Sequence, residues 1–143
     1  MSCKFCQIVA GGMACDIVLE DAMSLAFLDH RPLFPGHCLL VPKEHIETLA
    51  DVPVNLLEPL FWNARLLARA VEIGLGAEGS FVAINNRVSQ SVPHLHIHVV
   101  PRRRKDGLKG FFWPRQTYQD PESVSNVLQA LRAAIERVRQ DQR

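Results

Sequence analysis

Apolar residues fall in short β-like runs through the first third of the chain, then change to helical spacing. Ile17-Val18-Leu19 and Leu25-Ala26-Phe27-Leu28 flank the polar turn Glu20 to Ser24, a hairpin pattern, and Cys38-Leu39-Leu40-Val41 reads as a third strand. From Leu56 to Ile73, apolar residues recur at Leu57, Leu60, Phe61, Ala64, Leu67, Ala68 and Val71, one face of a helix that Gly74 and Gly76 end. Pro59 suits that helix only near its first turn. Phe81-Val82-Ala83-Ile84 is a fourth strand, and the polar loop Asn85 to Ser91 leads to a fifth, "HLHIHV", with strict alternation. Asp120-Pro121-Glu122 places an N-cap, an N1 proline and an early acid before a closing helix, whose stripe runs Val124, Val127, Leu128, Leu131, Ile135, Val138. Strands joined by short turns plus two main helices predict an α+β class, with one domain over residues 1–143 and a largely antiparallel five-stranded sheet.

Composition narrows the class. The 143 residues suit one domain, and a formal net charge of +1 argues against a dedicated nucleic-acid binder. No apolar run reaches membrane-spanning length, and the N-terminus lacks the basic start and apolar run of a secretory signal, so a cytoplasmic location without membrane or nucleic-acid partners is expected. In that compartment Cys3, Cys6, Cys15 and Cys38 are thiols or metal ligands rather than a disulfide framework. Cys15 and Cys38 read as packing residues. Phe111-Phe112-Trp113-Pro114 is apolar enough to seek burial.

The alternation at the fifth strand sends Leu95, Ile97 and Val99 to one face and His94, His96 and His98 to the other. Three of the six histidines thus share one surface, which fits either a metal platform or a phosphate-handling site with a histidine nucleophile. Arg102-Arg103-Arg104-Lys105 follows at once, with no acid before Asp106 and no histidine after His98. That surrounding suits an anion better than a cation. A neutral imidazole can attack phosphorus, a neighbouring one can donate to its oxygens, and Asn85, Gln90 and Ser91 can polarise the same group. The pair Cys3-Lys4-Phe5-Cys6 fits a redox motif, half of a zinc site, or two unrelated thiols.

"HLHIHVV" resembles the H-x-H-x-H-x-x signature of the histidine triad (HIT) superfamily of nucleotide hydrolases and transferases. "CKFCQIV", "LAFLDHRPLFPGHCLLVPKEH" and "NNRVSQSVPHLHIHVVPR" resemble, in order, the entry, central strands and active-site segment of its bacterial members. The loop departs from the family where Ser89 precedes Gln90, in place of a frequent Gly-Gln. The resemblance implies a HIT-like homodimer that binds a purine nucleotide, adenine favoured, and transfers its monophosphate through a covalent nucleotidyl-histidine. His96 matches the nucleophile, with His94 and His98 orienting it and contacting the phosphate or leaving group. Asp29 matches the ribose-binding acid, Phe5, Phe27 and Leu28 the base-pocket wall, and Asn85, Gln90 and Ser91 the phosphate loop. It also implies a structural Zn²⁺ held by Cys3, Cys6, His45 and His94. The expected activity is hydrolysis of nucleotidyl phosphoanhydrides or phosphoramidates, the alternative being a nucleotide-binding regulatory protein with little turnover. The basic run favours dinucleoside polyphosphates if it attracts a polyphosphate tail, and is otherwise a solvated face, with adenosine phosphoramidates the other substrate class.

Overall fold

The computed structural model describes residues 3–108 and 115–141. The apolar segment Phe111 to Pro114 lies outside the described residues. Five strands, β1 (Ile17–Glu20), β2 (Ser24–Leu28), β3 (Cys38–Pro42), β4 (Gly79–Ile84) and β5 (Ile97–Arg102), form one antiparallel sheet in the order β1-β2-β3-β5-β4. With helices α1 (Lys4–Val9), α2 (Val54–Leu75) and α3 (Pro121–Asp141), the class is α+β. The chain divides into two compact units, one ending at Asp106 and one beginning at Gly107. The first holds the whole sheet. In the second, Asp120 caps α3 by accepting from the Ser123 N–H at 2.7 Å.

Alternation along the strands sorts side chains into two cores. On one face Ala26, Leu40, Leu95, Ile97 and Val99 pack with Leu56, Leu60, Ala64, Leu67 and Val71 of α2. On the other, Leu25, Phe27, Leu39 and Val41 pack with Phe5 and Ile8 of α1. Covered on both sides, β3 is buried along its whole length, which is why it reads as a continuous apolar run. The α2 stripe also holds a polar residue. Buried Asn63 donates to Asp21 Oδ2 at 2.7 Å and Ser24 Oγ at 2.8 Å, while Asp21 Oδ1 accepts from the Met23 and Ser24 N–H groups. These bonds, led by the one from Asn63, hold the Asp21 carboxyl below its ordinary pKa and tie the β1–β2 turn to the helix.

Three expectations change. Helix α2 begins at Val54 rather than Leu56, so Pro59 lies in its second turn, and Leu56 takes the inward position while Leu57 and Phe61 are exposed. Gly74 stays within the helix. Gly76, at φ +68°, ends it, with its N–H bonded to the Glu72 carbonyl and that of Ala77 to the Val71 carbonyl. Helix α1, only six residues long, escapes periodicity reasoning. Finally, β5 starts at Ile97, so His94, Leu95 and His96 precede the strand. Pro93 has no N–H to enter a ladder, the His94 N–H turns back to the Val92 carbonyl at 2.8 Å, and the Leu95 N–H bonds to the Ile46 carbonyl at 2.7 Å. The alternation of sides survives without the ladder.

Candidate active site and metal centre

The face opposite α2 carries a cavity of about 350 Å³ within the first unit. Its apolar wall includes Phe5 and Ile8 from α1, Met13 from the following loop, Phe27 and Leu28 from β2, and Leu39 from β3. Asp29 stands at the end of β2, and Ser91, His96 and His98 form the polar side. This volume and this mixture, mostly apolar with a few convergent polar groups, suit a small organic ligand. The Phe5 ring sets the wall against the histidines, 5.5 Å from Phe27 and 5.1 Å from His96 between centroids, both edge-on.

Backbone groups decide which ring nitrogens carry protons. His96 Nδ1 lies 2.8 Å from the carbonyl of His94. A carbonyl only accepts, so Nδ1 bears the hydrogen and the Nε2 lone pair is left for the cavity side. On the other flank the Leu33 N–H, which only donates, is 3.1 Å from His37 Nδ1. His37 is therefore protonated on Nε2, and that N–H donates to His98 Nδ1 at 3.0 Å. His98 in turn must carry its proton on Nε2. Burial, with the neighbouring His96 and His37, lowers the His98 pKa to about 4 against the pull of Asp29. Burial also lowers that of His37, again opposed by Asp29, whose carboxylate is 3.8 Å from His37 Nε2. The arrangement presents a lone pair on His96 beside a neutral N–H donor on His98.

His94 has another environment. It is fully buried, its Nε2 donates to the Pro42 carbonyl at 2.8 Å, and its Nδ1 lies 3.4 Å from Cys3 Sγ and 3.5 Å from Cys6 Sγ. Cys6 Sγ is also 3.3 Å from His45 Nδ1. The four donor atoms lie within 4.8 Å of one another. Zn–S bonds of about 2.3 Å and Zn–N bonds of about 2.1 Å place S and N about 3.6 Å apart in a tetrahedron, so this set fits zinc. The Pro42 contact supplies the outer partner that metal-bound imidazoles commonly have, leaving Nδ1 unprotonated. Asp29, His37 and His98 also converge, yet they do not fit a cation. The Leu33 N–H already occupies His37 Nδ1, so a metal on Nε2 would require either an imidazolate or the loss of that bond.

Of the residues singled out in the sequence, Phe5, Phe27, Leu28, Asp29, Ser91, His96 and His98 line the cavity. His94 does not, so it orients His96 through its carbonyl, and its ring is directed at the thiols instead of a phosphate. Nor do Asn85 and Gln90 line it. Gln90 uses both ends of its amide on backbone, accepting from the Arg87 N–H at 2.8 Å and donating to the Glu47 carbonyl at 2.7 Å. The basic run is likewise engaged elsewhere: Arg102 pairs with Asp106 at 2.6 Å, Arg103 donates to the Leu75 carbonyl, and Arg104 pairs with Glu78 at 2.7 Å. Sequence reasoning missed His37. Its available signal was a histidine at the Pro35-Gly36 turn, just before a strand that pairs with the one bearing His98.

Comparison with known proteins follows this geometry. The HIT domain model matches residues 11–105. The adenosine 5'-monophosphoramidase hnt1 of Schizosaccharomyces pombe is 34% identical over 94% of this chain and 99% of its own length. Adenylylsulfatase HINT3 of Arabidopsis thaliana is 34% identical over 74% of this chain, which spans about half of that protein, 55%. A HIT family protein from Bacillus subtilis has a crystal structure that superposes with a TM-score of 0.82 at 32% identity, covering 93% of this chain and 96% of that one. A zinc-bound histidine triad protein from Mycobacterium smegmatis gives 0.72 at 36%, covering 96% and 98%. With the model matching well over half of its length, the chain belongs to the HIT family.

Proposed function

We propose that the protein is a nucleotide hydrolase or transferase that cleaves a bond to the α-phosphorus of an adenosine nucleotide, with His96 as nucleophile. The observation that carries this reading is the bond from His96 Nδ1 to the His94 carbonyl, which places the proton of the neutral ring on Nδ1 and leaves Nε2 free to attack. Attack forms a P–N bond to Nε2 and expels the leaving group, giving a nucleotidyl-histidine that water then hydrolyses. Asp29 accepts from the ribose hydroxyls, the apolar wall takes the base, and His98 with Ser91 donates to the phosphate or the departing atom. His98 and Ser91 stand on the cavity while the arginine run does not, which favours an adenosine phosphoramidate over a dinucleoside polyphosphate. The phosphoramidase activity for which the Schizosaccharomyces pombe relative is named agrees with that order.

Cys3, Cys6, His45 and His94 would hold Zn²⁺. A bound zinc would supply a closed tetrahedral tie between α1 and the segment carrying His96. The reading includes a homodimer: β4 is an edge strand with Val82 exposed, and the outward face of α2 presents Leu57, Phe61, Trp62 and Leu66. Among the described residues no helix is long and apolar enough to cross a membrane.

The decisive experiment is His96→Asn with rapid quench of labelled adenosine phosphoramidate. The variant should lose turnover by about 10⁴-fold or more while still binding AMP, and the wild type should yield an acid-labile nucleotidylated protein. Near-normal turnover in the variant would remove His96 as nucleophile. A wild type that binds AMP but turns over neither phosphoramidate nor dinucleoside polyphosphate would instead be a nucleotide-binding regulator.

A further inference from the structure

Cys3 and Cys6 sit one turn apart where α1 begins, and both are only partly buried. Their sulfurs belong to the compact group with His45 and His94, and the Cys6–His45 contact lies on the exposed side. The same turn carries Lys4 and Phe5 onto the cavity wall, where the Phe5 ring meets both His94 and His96 edge-on. Two thiols therefore hold the metal-binding group and one wall of the nucleotide cavity together. Burial raises the pKa of Cys6, Cys15 and Cys38 alike, so what sets Cys3 and Cys6 apart is their nearness to each other and to two imidazoles, whereas buried Cys38 donates to the Gly36 carbonyl.

We propose that Cys3 and Cys6 form a redox-active pair whose oxidation to a disulfide by a hydroperoxide releases the metal and opens the nucleotide cavity. The metal half of this inference rests on the zinc reading above. Cys6 Sγ, on the side of exposed His45, attacks the peroxide, forming an S–O bond as the O–O bond breaks and the outer oxygen departs as hydroxide or alkoxide. Cys3 Sγ then attacks that sulfur, forming the S–S bond and expelling hydroxide. Both oxyanions take up protons from solvent. The pair is oxidised by two electrons and one hydroperoxide is reduced to water, plus a second water or an alcohol. An S–S bond is about 2.05 Å long, so the sulfurs must leave the spacing that surrounds a zinc ion and move off the two imidazoles. Phe5, between them in sequence, shifts with that turn. A dithiol reductant returns the pair to thiols.

The test treats the zinc-loaded, reduced, full-length chain with hydrogen peroxide and follows three quantities: zinc released to a chromophoric chelator, peptide masses over residues 3–6, and AMP affinity by calorimetry. Expected are a two-hydrogen mass loss mapping to Cys3 and Cys6, release of zinc in step with it, and an AMP affinity at least about tenfold weaker that dithiol plus zinc restores. Cys3→Ser should give an oxidised Cys6 without the disulfide. A Cys3–Cys6 disulfide that leaves AMP affinity unchanged, or a peroxide-treated protein lacking that disulfide, overturns the inference. Reduced protein that never held zinc would overturn the zinc reading separately, because the disulfide and AMP readouts do not require the metal.

Discussion

Two side-chain clusters flank His96, and each has the composition of a metal site. One is Cys3, Cys6, His45 and His94; the other is Asp29, His37 and His98. They differ in what the backbone does to their imidazoles. In the first, the Pro42 carbonyl accepts from the His94 Nε2–H, which leaves an unprotonated Nδ1 facing two sulfurs. In the second, the Leu33 N–H fills His37 Nδ1, which forces a proton onto Nε2 and makes a chain of donors. A carbonyl in one place and an amide in the other separate a donor set suited to a cation from one arranged to donate protons. Ligand identity and proximity alone would have made them equivalent.

The largest effect expected from this contrast is in the first cluster. Protein purified without chelator should hold about one zinc per chain, and Cys3→Ser with Cys6→Ser should lose it together with several kcal/mol of stability, because binding energy at a structural site is also folding energy. Metal analysis and thermal unfolding check this. In contrast, His37→Ala should leave zinc content unchanged. A second equivalent of zinc that disappears on His37→Ala would erase the distinction between the clusters.

Next in size is the effect of His37 on turnover. Replacing it with Asn leaves His98 Nδ1 without its fixed donor and permits the wrong tautomer, so kcat for an adenosine phosphoramidate should fall by roughly 10- to 100-fold, the scale of a lost outer partner. The KM should change far less, and the ¹⁵N shifts of His98 should move from a single Nε2-protonated form toward a mixture. Unchanged tautomer signals with unchanged kcat would show that His37 merely packs.

Acid should act on both clusters, because burial lowers the pKa of His94 as well as those of His37 and His98. His98 titrates near 4 in the folded protein, and His37 is also lowered, against about 6.5 in an unfolded chain. Between those values the unfolded state binds more protons, so stability falls as pH drops from about 6.5 toward 4 and is independent of these two groups above that window. Thermal unfolding at stepped pH reads this. The slope should shrink in His37→Phe, which removes one of the two groups. A flat profile through the window would mean that neither ring is held neutral.

Much of this is legible in the sequence alone, and the limits are physical. Alternation assigned Leu95, Ile97 and Val99 to the core and the histidines to the other side, because sidedness depends only on local backbone direction. It did not reveal that β5 begins at Ile97, since Pro93 and the long-range Leu95–Ile46 bond decide where the ladder starts. Periodicity found α2 but misjudged its start, which set the stripe one residue off at Leu57 and left Asn63 unnoticed, because a buried asparagine is meaningful only beside the Asp21 turn it bonds. His37 carries only a weak signal, its place at the Pro35-Gly36 turn, for the same reason. Its partner is 61 positions away in sequence, and its role lies in a backbone amide that no side-chain pattern reports.

The smallest effect concerns the basic run, where adjacency in sequence suggested a phosphate contact. Arg104 and Glu78 are partners on an exposed surface, Arg102 is bound to Asp106, and neither arginine stands on the cavity that contains His96. Replacing Arg102, Arg103 and Arg104 by alanine should therefore change kcat/KM by no more than about twofold, and equally for a phosphoramidate and a dinucleoside polyphosphate of the same nucleoside. The loss of stability should be small for Arg104, whose pair with Glu78 is exposed, and larger for Arg102, whose bidentate pair with Asp106 is partly buried. Added salt should have little influence on either substrate, since no long-range attraction is being screened. A selective loss against the polyphosphate, mimicked by salt, would show that the run reaches a substrate tail in solution and would put dinucleoside polyphosphates ahead of phosphoramidates.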